Sequence, residues 1–291
     1  MLFDSFLPSD QPLHMAVYQD IHHDSHPLSL ADHDQLLTPF AVDDAILNAI
    51  NRGQFDAPLA LHFWPTSPTV ILGGMDTRLP NLPDAVKHLY ATSGIVPVVR
   101  PAGGLTVVSD PNVLNFTLLL DTKSKRLAID DAYQLIVDLM QEAMDAHNIE
   151  LTVGEIETSY CPGKFDVSIH GKKIAGIAQR RIGHAVGIYV YISISGDQAK
   201  RGQVVRDMYA AGRADLDDKG RYPQVDPDIM RNLSDFTAIT SVQDFIDDFL
   251  TAFKVNGVMV ENREITMIET NEYLERMQKR NQIVYDILAR D

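Results

Sequence analysis

Residues 186–194 (VGIYVYISI) impose the tightest constraint on this chain. Val186, Ile188, Val190, Ile192 and Ile194 fall on one side of a period-two pattern, and Gly187, Tyr189, Tyr191 and Ser193 fall on the other. Such alternation specifies an extended strand of an antiparallel sheet, half-covered, with one apolar face. Strand-like runs recur at hairpin spacing over residues 59–64, 69–72, 95–100, 106–108, 113–120, 150–155, 164–170 and 173–179. Helical periodicity marks residues 40–50, 81–93, 130–147, 201–211, 242–253 and 271–288. Asp130 stands as the cap of the third, with Tyr133, Ile136, Leu139, Met140 and Ala143 on its apolar stripe. Many hairpin-spaced strands with a few helices between them predict an α+β fold: a mixed, largely antiparallel sheet with flanking helices.

Residues 1–39 are expected to pack as an N-terminal segment on a main domain spanning 40–235. Residues 236–291 then form a helical C-terminal extension on the same core, because no repeat, low-complexity tract or clear linker interrupts the 291-residue chain. No stretch of about 18 uncharged apolar residues is present, so a membrane span is not expected. The acidic start lacks the basic and long apolar regions of a secretory signal. A single cysteine excludes an internal disulfide framework, and together these features predict a cytoplasmic protein. A formal charge of −15 repels phosphate backbones and disfavours nucleic-acid partners. His22, His23 and His26 lack the partner spacing and carboxylate frame of a metal site and read as a surface loop.

Chemistry concentrates in residues 159–181 (SYCPGKFDVSIHGKKIAGIAQRR). This stretch joins the one cysteine, Cys161, to a glycine turn, two lysines and a run of small residues. A free cysteine is only about 3% thiolate at pH 7, so a nucleophilic thiol needs electrostatic help. Lys172, Lys173 and Lys164 are the nearest candidate ammonium groups. Were the strands flanking Gly171 straight, at ~3.3 Å per residue, Cys161 would lie roughly 26 Å from Lys173. The loop must therefore fold back over the sheet, which Pro162-Gly163 permits. Between the strands before and after it, Pro101-Ala102-Gly103-Gly104 reads either as a tight turn or as a close approach to ligand.

The segment RPAGGLTVVSDPNVLNFTLLL (100–120), taken with residues 164–181, resembles the lipoate–protein ligase and octanoyltransferase superfamily. Within it, SYCPGKFDVSIHGKKIAGIAQRR, TVILGGMDTRLP and IDDAYQLIVDL are similar to the octanoyl-[GcvH]:protein N-octanoyltransferases, the likeness covering roughly residues 40–235. The resemblance implies a biotin/lipoate-protein-ligase-like catalytic core. It also implies an amidotransferase of lipoate assembly, moving octanoyl from a lysine of the glycine-cleavage H protein to a lysine of E2 lipoyl domains of 2-oxoacid dehydrogenases. By that likeness Cys161 would carry the acyl thioester and Lys173 would hold the thiol as thiolate. Arg100, Gly103, Gly104 and Asn115 match positions lining the acyl site. The small side chains of Ala175, Gly176 and Ala178 would leave room for a C8 chain, each methylene gaining about 0.8 kcal/mol on burial.

No cofactor, metal, nucleic acid or membrane is implied. Leu105, where the ATP-using ligases carry a third glycine, weighs against an adenylate site. An ATP-dependent lipoate–protein ligase, a transferase using octanoyl-acyl-carrier protein and a non-catalytic lipoyl-domain binder are the alternatives. Lys172, Lys173, Arg180 and Arg181, with Arg100, are further expected to form a basic rim that steers acidic partners to the thiol.

Overall fold

In the computed structural model, which describes residues 3, 13–20 and 23–290, eleven strands and six α-helices are present. His22 lies outside the described residues. The strands are β1 (Leu13–Gln19), β2 (Leu59–Phe63), β3 (Thr69–Leu72), β4 (Val98–Val99), β5 (Val107–Ser109) and β6 (Val113–Asp121). They continue as β7 (Thr152–Val153), β8 (Val167–Ile169), β9 (Lys172–Ile182), β10 (Ala185–Ser193) and β11 (Val258–Asn262). The helices are α1 (Asp34–Asn51), α2 (Leu82–Ser93), α3 (Ile129–Asp145), α4 (Gln198–Ala211), α5 (Val242–Val255) and α6 (Asn271–Leu288).

Eight strands form one mixed sheet in the order β11-β1-β2-β6-β10-β9-β8-β7. Its β11-β1-β2 end is parallel and the remainder antiparallel. A second, three-stranded sheet has the order β4-β3-β5. The alternation along β10 decides the layers. Val186, Ile188, Val190 and Ile192 join Leu114, Phe116, Leu118 and Leu120 of β6 in a core closed by α3 and α5, with Phe116 and Phe249 at 4.9 Å between ring centroids. Burying each such side chain stabilises the fold by about 1.5–3 kcal/mol.

The opposite face corrects the half-covered reading, since all nine residues of β10 are buried. Tyr189 and Tyr191 belong to a second core made with the small sheet, α2, α4 and α6. Alternation reports the polarity of a strand's two faces, and tyrosines pack against a second layer as readily as they face water.

Three boundaries also differ from expectation. Helix α1 begins at Asp34 and runs through a buried Pro39. Helix α3 has Ala128 at its N-cap position with no side-chain cap, and Asp130 sits in its first turn. The C-terminal segment contributes a strand as well as helices, because β11 pairs in parallel with β1. Buried Asn281 of α6 accepts the Val99 N–H of β4 at 2.6 Å and so seals an edge of the small sheet. Among the described residues, no helix is long and apolar enough to cross a membrane.

Candidate active site

The loop joining β7 to β8 is folded around one buried ion pair. Lys173, the second residue of β9, is 4% exposed at its side chain and lies 2.8 Å from Asp166, which is 2% exposed. The turn that permits this pairing is His170-Gly171, whose φ values of 49° and 75° suit a two-residue hairpin. Asp166 also accepts the N–H groups of Ile156 and Gly163, at 3.2 and 3.1 Å. Burial pushes its carboxyl above the ordinary carboxylate range, against the pull of the Lys173 ammonium. Lys173 donates further to Ser159 Oγ (3.0 Å) and to the carbonyls of Tyr160 (3.0 Å) and Cys161 (2.8 Å). The expected fold-back of the loop is thus built by Asp166, a residue the sequence reading passed over.

Cys161 is half-buried and adopts φ 49°, a left-handed conformation uncommon for a residue with a side chain. Its neighbour Tyr160 is buried and anchored through its hydroxyl to Tyr191 and Gln198. The donors reaching the sulfur come from the other side of the site. Leu105 N–H lies 3.1 Å from Sγ and Arg100 Nη2 lies 3.7 Å away. Arg100 also donates to the carbonyls of Gly103 and Leu105, which fixes the turn after β4. Two glycines make this approach possible. Gly104 has φ 92°, and a Cβ there would stand 2.6 Å from Arg100 Nη2 and 2.9 Å from Cys161 Sγ. A Cβ on Gly73 would stand 1.9 Å from the Gly104 carbonyl oxygen.

Behind the sulfur lies a narrow, almost wholly apolar pocket, whose empty space with the open solvent at its mouth included is about 520 Å³. Phe40, Trp64, Ile71, Tyr189 and Ile177 wall it, and Arg100, Asn115, Cys161, Lys173, Gly176 and Ala178 reach it. Asn115 is held by Ser109 Oγ at 2.7 Å. Trp64 donates to Thr117, which donates to buried Asp43, whose other oxygen pairs with His62. Burial raises the Asp43 carboxyl from its ordinary range, opposed by His62.

Seven of the nine residues singled out from sequence therefore converge here directly: Cys161, Lys173, Arg100, Gly104, Asn115, Gly176 and Ala178. Gly103 contributes its carbonyl to Arg100, while a Cβ on it would meet open space. Ala175 faces the α3–α5 core and does not line the pocket. Lys172 reaches the Asp228 carbonyl and Lys164 pairs with Asp130, so Lys173 is the lysine at the thiol loop.

The basic rim is corrected in part. The Arg180 guanidinium is matched by Asp44 at 2.7 Å, and Arg181 donates to the Leu127 and Ala128 carbonyls. Of the five cations expected on a rim, Lys173 and Arg180 are thus matched by carboxylates, whereas Lys172, Arg181 and Arg100 donate to backbone carbonyls and keep their charge.

Residues 35–254 match the family described as Lipoyl protein ligase A/B catalytic domain. An octanoyl-[GcvH]:protein N-octanoyltransferase of Geobacillus kaustophilus (strain HTA426) is 38% identical over 213 residues, covering 73% of each chain. One of the same name from Exiguobacterium sp. (strain ATCC BAA-1283 / AT1b) is 36% identical over 255 residues, covering 85% of this chain and 88% of the relative. A crystal structure of lipoate-protein ligase A bound with ATP superposes with a TM-score of 0.63 at 16% identity, covering 95% of both chains. That likeness shows the shared fold.

Proposed function

This chain belongs to the Lipoyl protein ligase A/B catalytic domain family, and from that premise we propose that it transfers an octanoyl group from GcvH to lipoyl domains of E2 subunits through a thioester on Cys161. The relatives' activity supports the donor and the acyl group. The acceptor and the thioester are our own assignment. The observation that carries it is the placement of one sulfur, at the mouth of an apolar pocket, against a backbone N–H and a guanidinium.

In the first step the Cys161 thiolate attacks the carbonyl carbon of the octanoyl-lysine amide. The C–N bond breaks, the departing amine takes up a proton, and a thioester remains. In the second step an acceptor lysine amine attacks the thioester, forming an amide, breaking the C–S bond and giving up to solvent the proton equivalent taken up in the first step, so that the thiolate is released. Leu105 N–H and Arg100 stabilise negative charge on sulfur at both ends of the cycle. Lys173 holds the Cys161 carbonyl and so orients the nucleophile. The pocket takes the straight acyl tail, with Gly176 and Ala178 leaving the wall thin. One amide is exchanged for another, so the overall step is nearly thermoneutral and consumes no ATP. We place the reaction in a reducing cytoplasm, where the single thiol stays free.

Incubation with octanoylated H protein, without ATP, is expected to add one octanoyl increment in intact mass spectrometry. Hydroxylamine should remove the increment, and Cys161→Ser should never acquire it. Transfer by Cys161→Ser at the wild-type rate, or an absolute need for ATP, would overturn the assignment in favour of the ligase reading.

A further inference from the structure

An acyl-thioester beside a lysine is chemically precarious. Attack by the Lys173 amine on the thioester carbonyl would form an N–C amide bond and break the C–S bond. The amine's proton would pass to the thiolate, leaving N-octanoyl-Lys173 and free Cys161. Nothing further is consumed, and the octanoyl group is then held in an amide that hydroxylamine does not cleave. Lys173 Nζ lies 2.8 Å from the backbone carbonyl oxygen of Cys161 and both residues line one pocket, so the amine and an acyl group on the sulfur would share one site. Held reactants of this kind react far faster than free ones.

The structure also shows what opposes it. Four oxygens surround Nζ: Asp166 Oδ1, Ser159 Oγ, and the carbonyls of Tyr160 and Cys161, all at 2.8–3.0 Å. An ammonium has three hydrogens and no lone pair, so four acceptors commit every hydrogen and leave nothing to attack with. Orienting the loop carbonyls does not require a buried carboxylate opposite the ammonium; keeping the nitrogen charged does. We propose that Asp166 acts as a positioning residue that protects the acyl-enzyme from self-transfer to Lys173, an inference that rests on the Cys161 thioester assigned above. Without the carboxylate, burial favours the uncharged amine, and the lone pair returns within reach of the thioester.

The full-length wild type, Asp166→Asn and Ser159→Ala are charged with octanoylated H protein, treated with hydroxylamine and mapped by peptide mass spectrometry. Wild type is expected to lose nearly all of its octanoyl. Asp166→Asn is expected to retain it on Lys173, with a hydroxylamine-resistant fraction at least about tenfold above wild type and growing with time. Ser159→Ala, which keeps the ion pair and three acceptors, is expected to stay at the wild-type level, and Asp166→Ser takes the place of Asp166→Asn should the latter fail to melt cooperatively. A purely structural role for Asp166 predicts less labile adduct and no N-octanoyl-Lys173. Labile adduct in wild type with no resistant adduct in a folded Asp166 variant overturns the inference alone. No labile adduct in wild type removes the thioester assignment, and this inference with it.

Discussion

Gly104 and Gly103 are adjacent, yet the site makes opposite demands on them. An alanine methyl at 104 would sit 2.6 Å from Arg100 Nη2 and 2.9 Å from Cys161 Sγ, on backbone at φ 92°. The backbone term costs about 1–2 kcal/mol. Relief of the overlap must move the guanidinium or the sulfur. Arg100 is tied to the Gly103 and Leu105 carbonyls, so yielding there breaks the turn that presents Leu105 N–H. A displacement of about 1 Å at reacting groups is worth roughly 10²-fold in rate. Gly104→Ala should therefore melt only modestly lower but form acyl-enzyme about 10²-fold more slowly. Gly103→Ala, whose methyl meets nothing within 4 Å, should stay within a factor of about two of wild type. Single-turnover acylation by octanoylated H protein, read by quenched intact mass spectrometry, compares the two. Equal losses in both variants, or a wild-type rate in Gly104→Ala, would refute the close-approach reasoning.

Asn281→Leu removes the side chain that accepts the Val99 N–H, leaving a buried donor unpaired at a penalty of about 1–3 kcal/mol. For a chain of this size that lowers the melting temperature by several degrees, and a calorimetric scan at unchanged Tm would count against the strand-edge role of α6. Asp76 is buried, accepts the Gly73 N–H at 2.8 Å and the Tyr209 hydroxyl at 3.0 Å, and is pushed above its ordinary range by burial. With its folded carboxyl raised, the folded state keeps a proton that the unfolded chain has already released. Its contribution to stability is present in acid and is lost as pH rises through the folded value. The Tm of Asp76→Asn relative to wild type should therefore climb between acid and neutral pH. A relative Tm that falls over that interval would show the carboxylate to be the favoured form.

Periodicity along the chain was enough to determine the class of fold, because buried and polar positions repeat every second residue in strands and at about 3.6 in helices. It placed β10, α5 and α6 to within a residue or two, but it missed β1 and β11. Both lie at the parallel end of the sheet, where pairing is decided by partners far away in sequence. The proposed nucleophile was legible as the one cysteine in a polar loop, and Lys173 was singled out by the family resemblance of its glycine–lysine motif. What no one-dimensional pattern could reveal is which groups face the sulfur. Leu105 contributes a backbone N–H that any residue but proline would carry, and Asp166 looks like an ordinary surface acid until the hairpin turns it inward onto Lys173. Residue type and spacing thus singled out the thiol. Tertiary structure alone decided how the charges around it are shared, since a buried ion pair and a close backbone approach exist only once distant segments meet.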